Sequence, residues 1–285
     1  MTLPAKLLRL SRFRRRRAGA AGAKATGLLV PIDHGLTMGP LKGIRSIDQI
    51  ATWITHPAIS GIIAHKGMVE RLAARDLLSG LGVMVHLNGM AAFSATPDVK
   101  ELVTSVRSAQ RLGADAVSIQ VNFDGTNDAH NLKLLGRVAD AALKEGVPVL
   151  TMLYDKVVHT SDRARLTRLR HLIRLTIELG TDAIKLAPPA TSRLTIEVPE
   201  LLADHARDTA IYFAGGATCP DAELLQLARE TARCGGAGLC IGRNVFGRSD
   251  PDELLTTLDR SLSFPEPTPL RSAEGGGLAT YFDSH

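Results

Sequence analysis

One lysine stands inside a short apolar run, Asp182-Ala183-Ile184-Lys185-Leu186-Ala187, bounded by Gly180 before it and Pro188-Pro189 after it. A run this short between glycine and proline reads as a buried strand. An ammonium is costly to desolvate, and the cost falls if burial lowers the amine's pKa. The neutral amine that results is the nucleophile a carbonyl substrate needs to form a Schiff base. Lys185 is the only lysine within a predicted central strand. Lys66, at the end of an earlier one, is the alternative nucleophile.

Groups able to move protons lie at the ends of two other apolar runs. Asp33 follows Val30-Pro31-Ile32, and Tyr154 follows Val147–Leu153. A tyrosine hydroxyl held beside an imine can donate and accept protons, and a carboxylate beside the lysine can orient it. The bland alternatives are that Asp33 caps the next helix and that Tyr154 merely packs. Two glycine-rich strand ends, Gly215-Gly216 and Gly242-Arg243, have the chemistry of an anion site. Their bare backbone lets N–H groups approach a phosphate, and Arg243 adds a fork of donors. His34 and Lys66 join them as candidate substrate-binding groups.

These residues must be positioned by the rest of the chain. Eight apolar runs recur: Gly27–Ile32, Gly61–Ala64, Gly82–Leu87, Asp115–Val121, Val147–Leu153, Asp182–Ala187, Ala210–Ala214 and Ala237–Ile241. Helical-period segments separate them, among them Asp98–Leu112, Ala129–Lys144, Arg163–Leu179 and Pro220–Arg233. Gly113, Gly146 and Gly180 each sit where a helix would end before the next strand. Alternation of this kind predicts a single (β/α)8 barrel, whose chemistry gathers at the C-terminal ends of the strands and whose phosphate site follows strands seven and eight. A doubly wound open sheet is the competing architecture, but no Gly-x-Gly-x-x-Gly follows the first strand.

Charge and composition narrow the class further. The net charge of +5 is concentrated in residues 6–24, where six arginines and two lysines precede the first acid at Asp33. Residues 1–26 are expected to form a mobile or surface-packed basic arm, 27–264 the barrel, and 265–285, rich in Pro, Gly and Ser, a loose tail. Basic residues are not interleaved with aromatics over the barrel, which speaks against nucleic acid as a partner. No apolar run approaches the ~18 residues that span a bilayer. The three cysteines, Cys219, Cys234 and Cys240, suit neither a disulfide framework nor a zinc site. A reducing cytoplasm is the expected compartment.

Taken together, the motifs resemble the archaeal-type class I aldolases over roughly residues 27–262. The resemblance is carried by Val30-Pro31-Ile32-Asp33-His34-Gly35 with Gly39-Pro40, by His65-Lys66-Gly67, and by Gly113-Ala114-Asp115-Ala116-Val117-Ser118. Tyr154, Lys185 and Gly242-Arg243-Asn244-Val245-Phe246 complete it. It implies Lys185 as the Schiff-base lysine, Tyr154 as acid/base and Asp33 as the assisting carboxylate, with no cofactor and no metal. It also implies a phosphorylated ketone or ketose donor such as dihydroxyacetone phosphate, an aldehyde acceptor, and a homo-oligomer. Where that family commonly follows its tyrosine with Pro-Arg-Gly, this chain has Asp155-Lys156-Val157, a change expected on the acceptor side.

Two other functions compete. His34, His65 and His86 close three successive strands beside Asp33 and could hold a metal for a hydrolase or lyase. Adjacent Asp33 and His34 would face opposite ways if the strand still ran there. The other competitor is a barrel that binds a sugar phosphate without turnover.

Overall fold

The eight runs form a closed parallel barrel. In the computed structural model, which describes residues 3–14, 25–205 and 208–263, the strands are β1 (Gly27–Pro31), β2 (Gly61–Ala64), β3 (Gly82–His86), β6 (Ala116–Phe123), β7 (Val149–Asp155), β8 (Ala183–Leu186), β9 (Ala210–Ala214) and β10 (Gly238–Cys240). β10 closes back onto β1 through Gly27↔Gly238, Leu28↔Leu239 and Leu29↔Cys240. Each strand is aliphatic on both faces because it is covered on both. One face meets the helices, and the other meets the barrel interior.

Between strands run helices such as Asp128–Glu145, Asp162–Glu178 and Asp221–Arg233. Gly146 ends the first of these at φ 64°, a left-handed turn that costs glycine least. The segment expected to be helical from Asp98 is different. Glu101–Leu102 (β5) pairs antiparallel with Asn88–Gly89 (β4), and the helix that follows covers only Val106–Arg111. Ser105 starts that helix by accepting a hydrogen bond from Ser108 N at 3.1 Å, which leaves the preceding residues free to form the hairpin.

Two cores result. The larger lies between strands and helices. The smaller fills the barrel and includes Leu29, Ile63, Met84, Met152 and Tyr212, together with Leu10 and Phe13 from the N-terminal segment. That segment is not a loose arm where the structure describes it. Helix Leu3–Ser11 delivers a wholly buried Phe13 into the N-terminal end of the barrel. Gly61 and Gly82 make room for the ring: a Cβ on either would come within 2.7 Å and 2.6 Å of Phe13 Cδ1. Lys6 reaches Asp182 at 2.9 Å and Arg12 reaches Asp115 at 2.6 Å, so basic residues that suggested a solvated arm are ties to the barrel. Residues 15–24 and the tail 265–285 lie outside the described residues. No described helix is long and apolar enough to cross a membrane.

Candidate active site

Lys185 faces into the barrel. Its register partners are Met152 on β7 and Tyr212 on β9, both members of the inner core, and its side chain is 7% exposed. Tyr154 lies two residues beyond Met152 on β7, hence on the same face and nearer the mouth. Cys240, from β10, closes the other side of the lysine. A cavity of about 100 Å³ opens above them. Lys185, Tyr154, His34 and Cys240 line its floor and near wall, and Gly215, Gly216, Gly242 and Arg243 line its far wall.

Asp33 and His34 arrive together from the end of β1. The strand stops at Pro31 and Asp33 already has helical dihedrals, φ −69° and ψ −9°. The expectation that adjacent residues must diverge therefore fails here. Asp33 Oδ1 lies 3.6 Å from His34 Nδ1, and Asp33 Oδ2 lies 3.8 Å from His86 Nε2. Asp33 occupies the start of helix His34–Met38 but makes no capping hydrogen bond. Both Asp33 Oδ1 and His34 Nδ1 are buried without a hydrogen-bond partner in the protein, which is a costly arrangement and one frequent at functional sites.

The histidines do not assemble as metal ligands. His86 Nδ1 is 2.8 Å from Ser118 Oγ, and His65 Nδ1 is 3.2 Å from the His86 carbonyl. Among the described residues no three His, Cys, Asp or Glu side chains converge on one point as ligands. Burial pushes His86 down to about 4 and lowers His34 and His65 as well, so imidazole rather than imidazolium surrounds Asp33 at neutral pH.

Lys185 departs from its sequence-based expectation. Burial alone pushes its amine down, but Cys240, Tyr154 and Asp33 around it outweigh burial and raise it above the ordinary lysine range. The Cys240 thiol is itself pushed up to about 11 by burial and is neutral near pH 7. The charge holding the ammonium there is Asp33, whose carboxyl stays below its usual range although burial opposes ionisation. Lys185 is thus an ammonium in the unliganded cavity, and a carbonyl substrate must meet it with a base at hand.

The far wall is built to accept an anion. Among the described residues, the backbone N–H groups of Gly215, Gly216, Gly242 and Arg243 have no recorded acceptor. Gly216 has φ 66°, and a Cβ on Gly242 would come within 2.8 Å of both His34 Cε1 and Pro31 O. Arg243 donates from Nη2 to Gly216 O at 2.9 Å. Asn244, buried and not singled out from sequence as a site residue, ties the two loops together. Its Nδ2 donates to Gly215 O and Ala217 O, both at 3.0 Å, and its Oδ1 accepts from Cys219 N at 3.0 Å. A lone asparagine ahead of Val245-Phe246 was the available signal.

Three other expectations change. Lys66 begins helix Lys66–Ala73, donates to Val103 O at 2.9 Å and stays outside the cavity wall. Asp155 turns away from the cavity, with His159 Nε2 at 2.7 Å and Arg168 Nε donating at 3.1 Å. Lys156 remains at the mouth, with its Nζ 5.9 Å from the Tyr154 ring centroid.

Residues 27–248 match the family model described as DeoC/LacD family aldolase. The chain belongs to that family. A 2-amino-3,7-dideoxy-D-threo-hept-6-ulosonate synthase 1 of Archaeoglobus fulgidus is 30% identical to this aldolase over 246 residues, 86% of this chain and 89% of its own. A 2-amino-4,5-dihydroxy-6-oxo-7-(phosphonooxy)heptanoate synthase of Streptomyces griseus is 28% identical over 231 residues, 81% of this chain and 82% of its own. In structure the aldolase is similar to an archaeal fructose-1,6-bisphosphate aldolase solved with its catalytic lysine covalently bound to a carbinolamine intermediate. That comparison has a TM-score of 0.71 at 21% identity and covers 90% of this chain and 99% of the other, a likeness of fold.

Proposed function

We propose that this class I aldolase joins or cleaves a phosphorylated ketone and an aldehyde through an imine on Lys185. The observation that carries the reading is a buried lysine on β8, unpaired by any carboxylate among the described residues, opening into a cavity that also holds Tyr154 and an anion-ready wall. The synthases and the bisphosphate aldolase it resembles support the same chemistry.

The steps follow from the groups present. The Lys185 ammonium loses a proton toward Asp33, and the amine adds to the donor carbonyl to give a carbinolamine. Loss of water, with the hydroxyl protonated by Tyr154, leaves an iminium. That cation is the electron sink: it stabilises removal of a proton from the neighbouring carbon, and the resulting enamine attacks the acceptor aldehyde. Water returns to the new iminium and frees Lys185. In the cleavage direction the same steps reverse. The N–H groups of Gly215, Gly216, Gly242 and Arg243 hold the donor phosphate throughout.

The test is borohydride reduction in the presence of dihydroxyacetone phosphate, followed by peptide mass spectrometry. The expected adduct lies on Lys185. An adduct on Lys66 or Lys100 overturns the assignment. We also place the enzyme in the cytoplasm as a homo-oligomer. Exposed Leu36, Met38, Phe93, Leu102 and Val103 on the mouth-side loops support association, and light scattering on the purified protein reads it.

A further inference from the structure

The reaction described above leaves one buried lysine at the mouth without a task. Lys100 lies just before β5, between Asp98 and Glu101, both exposed, yet its own side chain is only 5% exposed. The segment is held down from beneath. Asn122 Nδ2 donates to Asp98 O at 2.6 Å, and His130 Nε2 meets Lys100 O at 2.9 Å. The carboxylate that would most naturally neutralise Lys100, Asp98, is taken by Lys156 at 3.0 Å. No ion pair joins Lys100 to any carboxylate among the described residues. Its charge is felt inside the site, by Asp33 and by His86. A buried cation left unpaired is expensive, and it persists where an anion completes it.

Its place in the barrel says which anion. Around the closed sheet the order is β1-β2-β3-β6-β7-β8-β9-β10, so β3 and β6 stand opposite β9 and β10. The glycine wall follows β9 and β10. Lys100 sits over β3 and β6, on the chain between them. Lys185 and Tyr154, on β8 and β7, lie between the two anion-attracting sides. A donor with its phosphate on the glycine wall and its carbonyl at Lys185 presents its reacting carbon toward the Lys100 side.

We propose that Lys100 binds the anionic end, carboxylate or phosphate, of the aldehyde acceptor, and so selects acidic aldehydes over neutral ones. This rests on the aldolase reading above and adds the acceptor's charge to it. Lys100 touches the acceptor away from the bond being made, so its loss should appear mainly in acceptor KM.

Lys100→Met keeps the apolar stem and removes the charge. With dihydroxyacetone phosphate as donor, kcat/KM is measured for glyceraldehyde 3-phosphate against glyceraldehyde, and for succinic semialdehyde against butanal. The charged member of one pair should lose about 10- to 100-fold, the scale of a charge-assisted hydrogen bond, while its neutral partner stays within about twofold. The affected pair distinguishes phosphate from carboxylate. Lys100→Arg should restore most of the preference. Equal losses for charged and neutral acceptors, or no loss in either pair, overturn the proposal. Borohydride trapping of the donor on Lys185 reports separately on the aldolase reading. If the wild-type enzyme neither traps nor turns over dihydroxyacetone phosphate, that donor assignment fails and the subsite is read directly. Acetylation of Lys100 by N-hydroxysuccinimidyl acetate is then followed by mass spectrometry with inorganic phosphate or with acetate. Protection by either anion supports the proposal, and unchanged labelling with both overturns it.

Discussion

The two ends of the barrel each bury a lysine and treat it in opposite ways. At the N-terminal end Lys6, 6% exposed, is closed by Asp182 at 2.9 Å, and the same carboxylate oxygen accepts the N–H of Val149 at 2.9 Å. Phe13 fills the space beside it and excludes water. At the C-terminal end Lys185, 7% exposed, meets a thiol and a phenol, and its nearest charge, Asp33, keeps a buried oxygen without a hydrogen bond. One end has every strong partner in place and supplies rigidity. The other holds its polar groups short of satisfaction, which is affordable because the scaffold beneath is complete.

The largest expected effects separate the ends outright. Lys185→Met should lower kcat by at least about 10⁴-fold while leaving the urea midpoint unchanged or higher, since it removes a buried amine no carboxylate pairs. Lys6→Met should do the reverse: stability falls by about 3–5 kcal/mol because Asp182 is left buried and unpaired, with kcat within about twofold at a permissive temperature. Loss of turnover in Lys6→Met without loss of stability would mean that the ends are not independent.

Acid should act on the mouth first. Burial holds folded His86 near 4, against about 6.5 when unfolded, so between these values the unfolded chain binds the extra proton. The contribution of a neutral His86 to stability is therefore fully present above pH 6.5 and is lost as pH falls through 4. Over the whole window it amounts to roughly 3 kcal/mol. His34 and His65, lowered in the same direction, add to the slope. Unfolding free energies between pH 4.5 and 8 should show a shallower dependence in His86→Gln. An unchanged slope would assign the acid sensitivity to other groups.

What could be read from the chain differed between the ends for a physical reason. Lys185 was legible because strand burial is local information: an apolar run between glycine and proline leaves little else for it to be. The glycine wall was legible because backbone approach needs glycine whatever surrounds it. The plug was not, because Leu10 and Phe13 are embedded among arginines and only the barrel's open end makes them core. The β4–β5 hairpin escaped because residues 98–112 carry a helical period that the pairing of Glu101 with Gly89 overrides. The direction of the shift at Lys185 was hidden for a related reason. Desolvation follows from the strand alone, whereas the opposing groups come from β10, β7 and the turn after β1.

The smallest effect is expected at Arg243, and it tests whether the far wall is an anion site or only a braced loop. Arg243 is exposed and donates to Gly216 O at 2.9 Å, so two roles are open to it. If it contacts the donor phosphate, Arg243→Ala should cost about 1.5–3 kcal/mol of donor binding, read as a KM raised roughly 10- to 100-fold. The change in kcat should be smaller, because a phosphate anchor distant from the reacting carbon holds ground and transition states alike. Arg243→Gln separates the roles, since its amide can still donate to Gly216 O but carries no charge. Glutamine should behave like alanine, and the donor KM of both variants should respond less to added salt than that of the wild type. A glutamine variant with wild-type donor KM would make Arg243 a brace. The phosphate would then rest on the backbone N–H groups of Gly215, Gly216 and Gly242 alone.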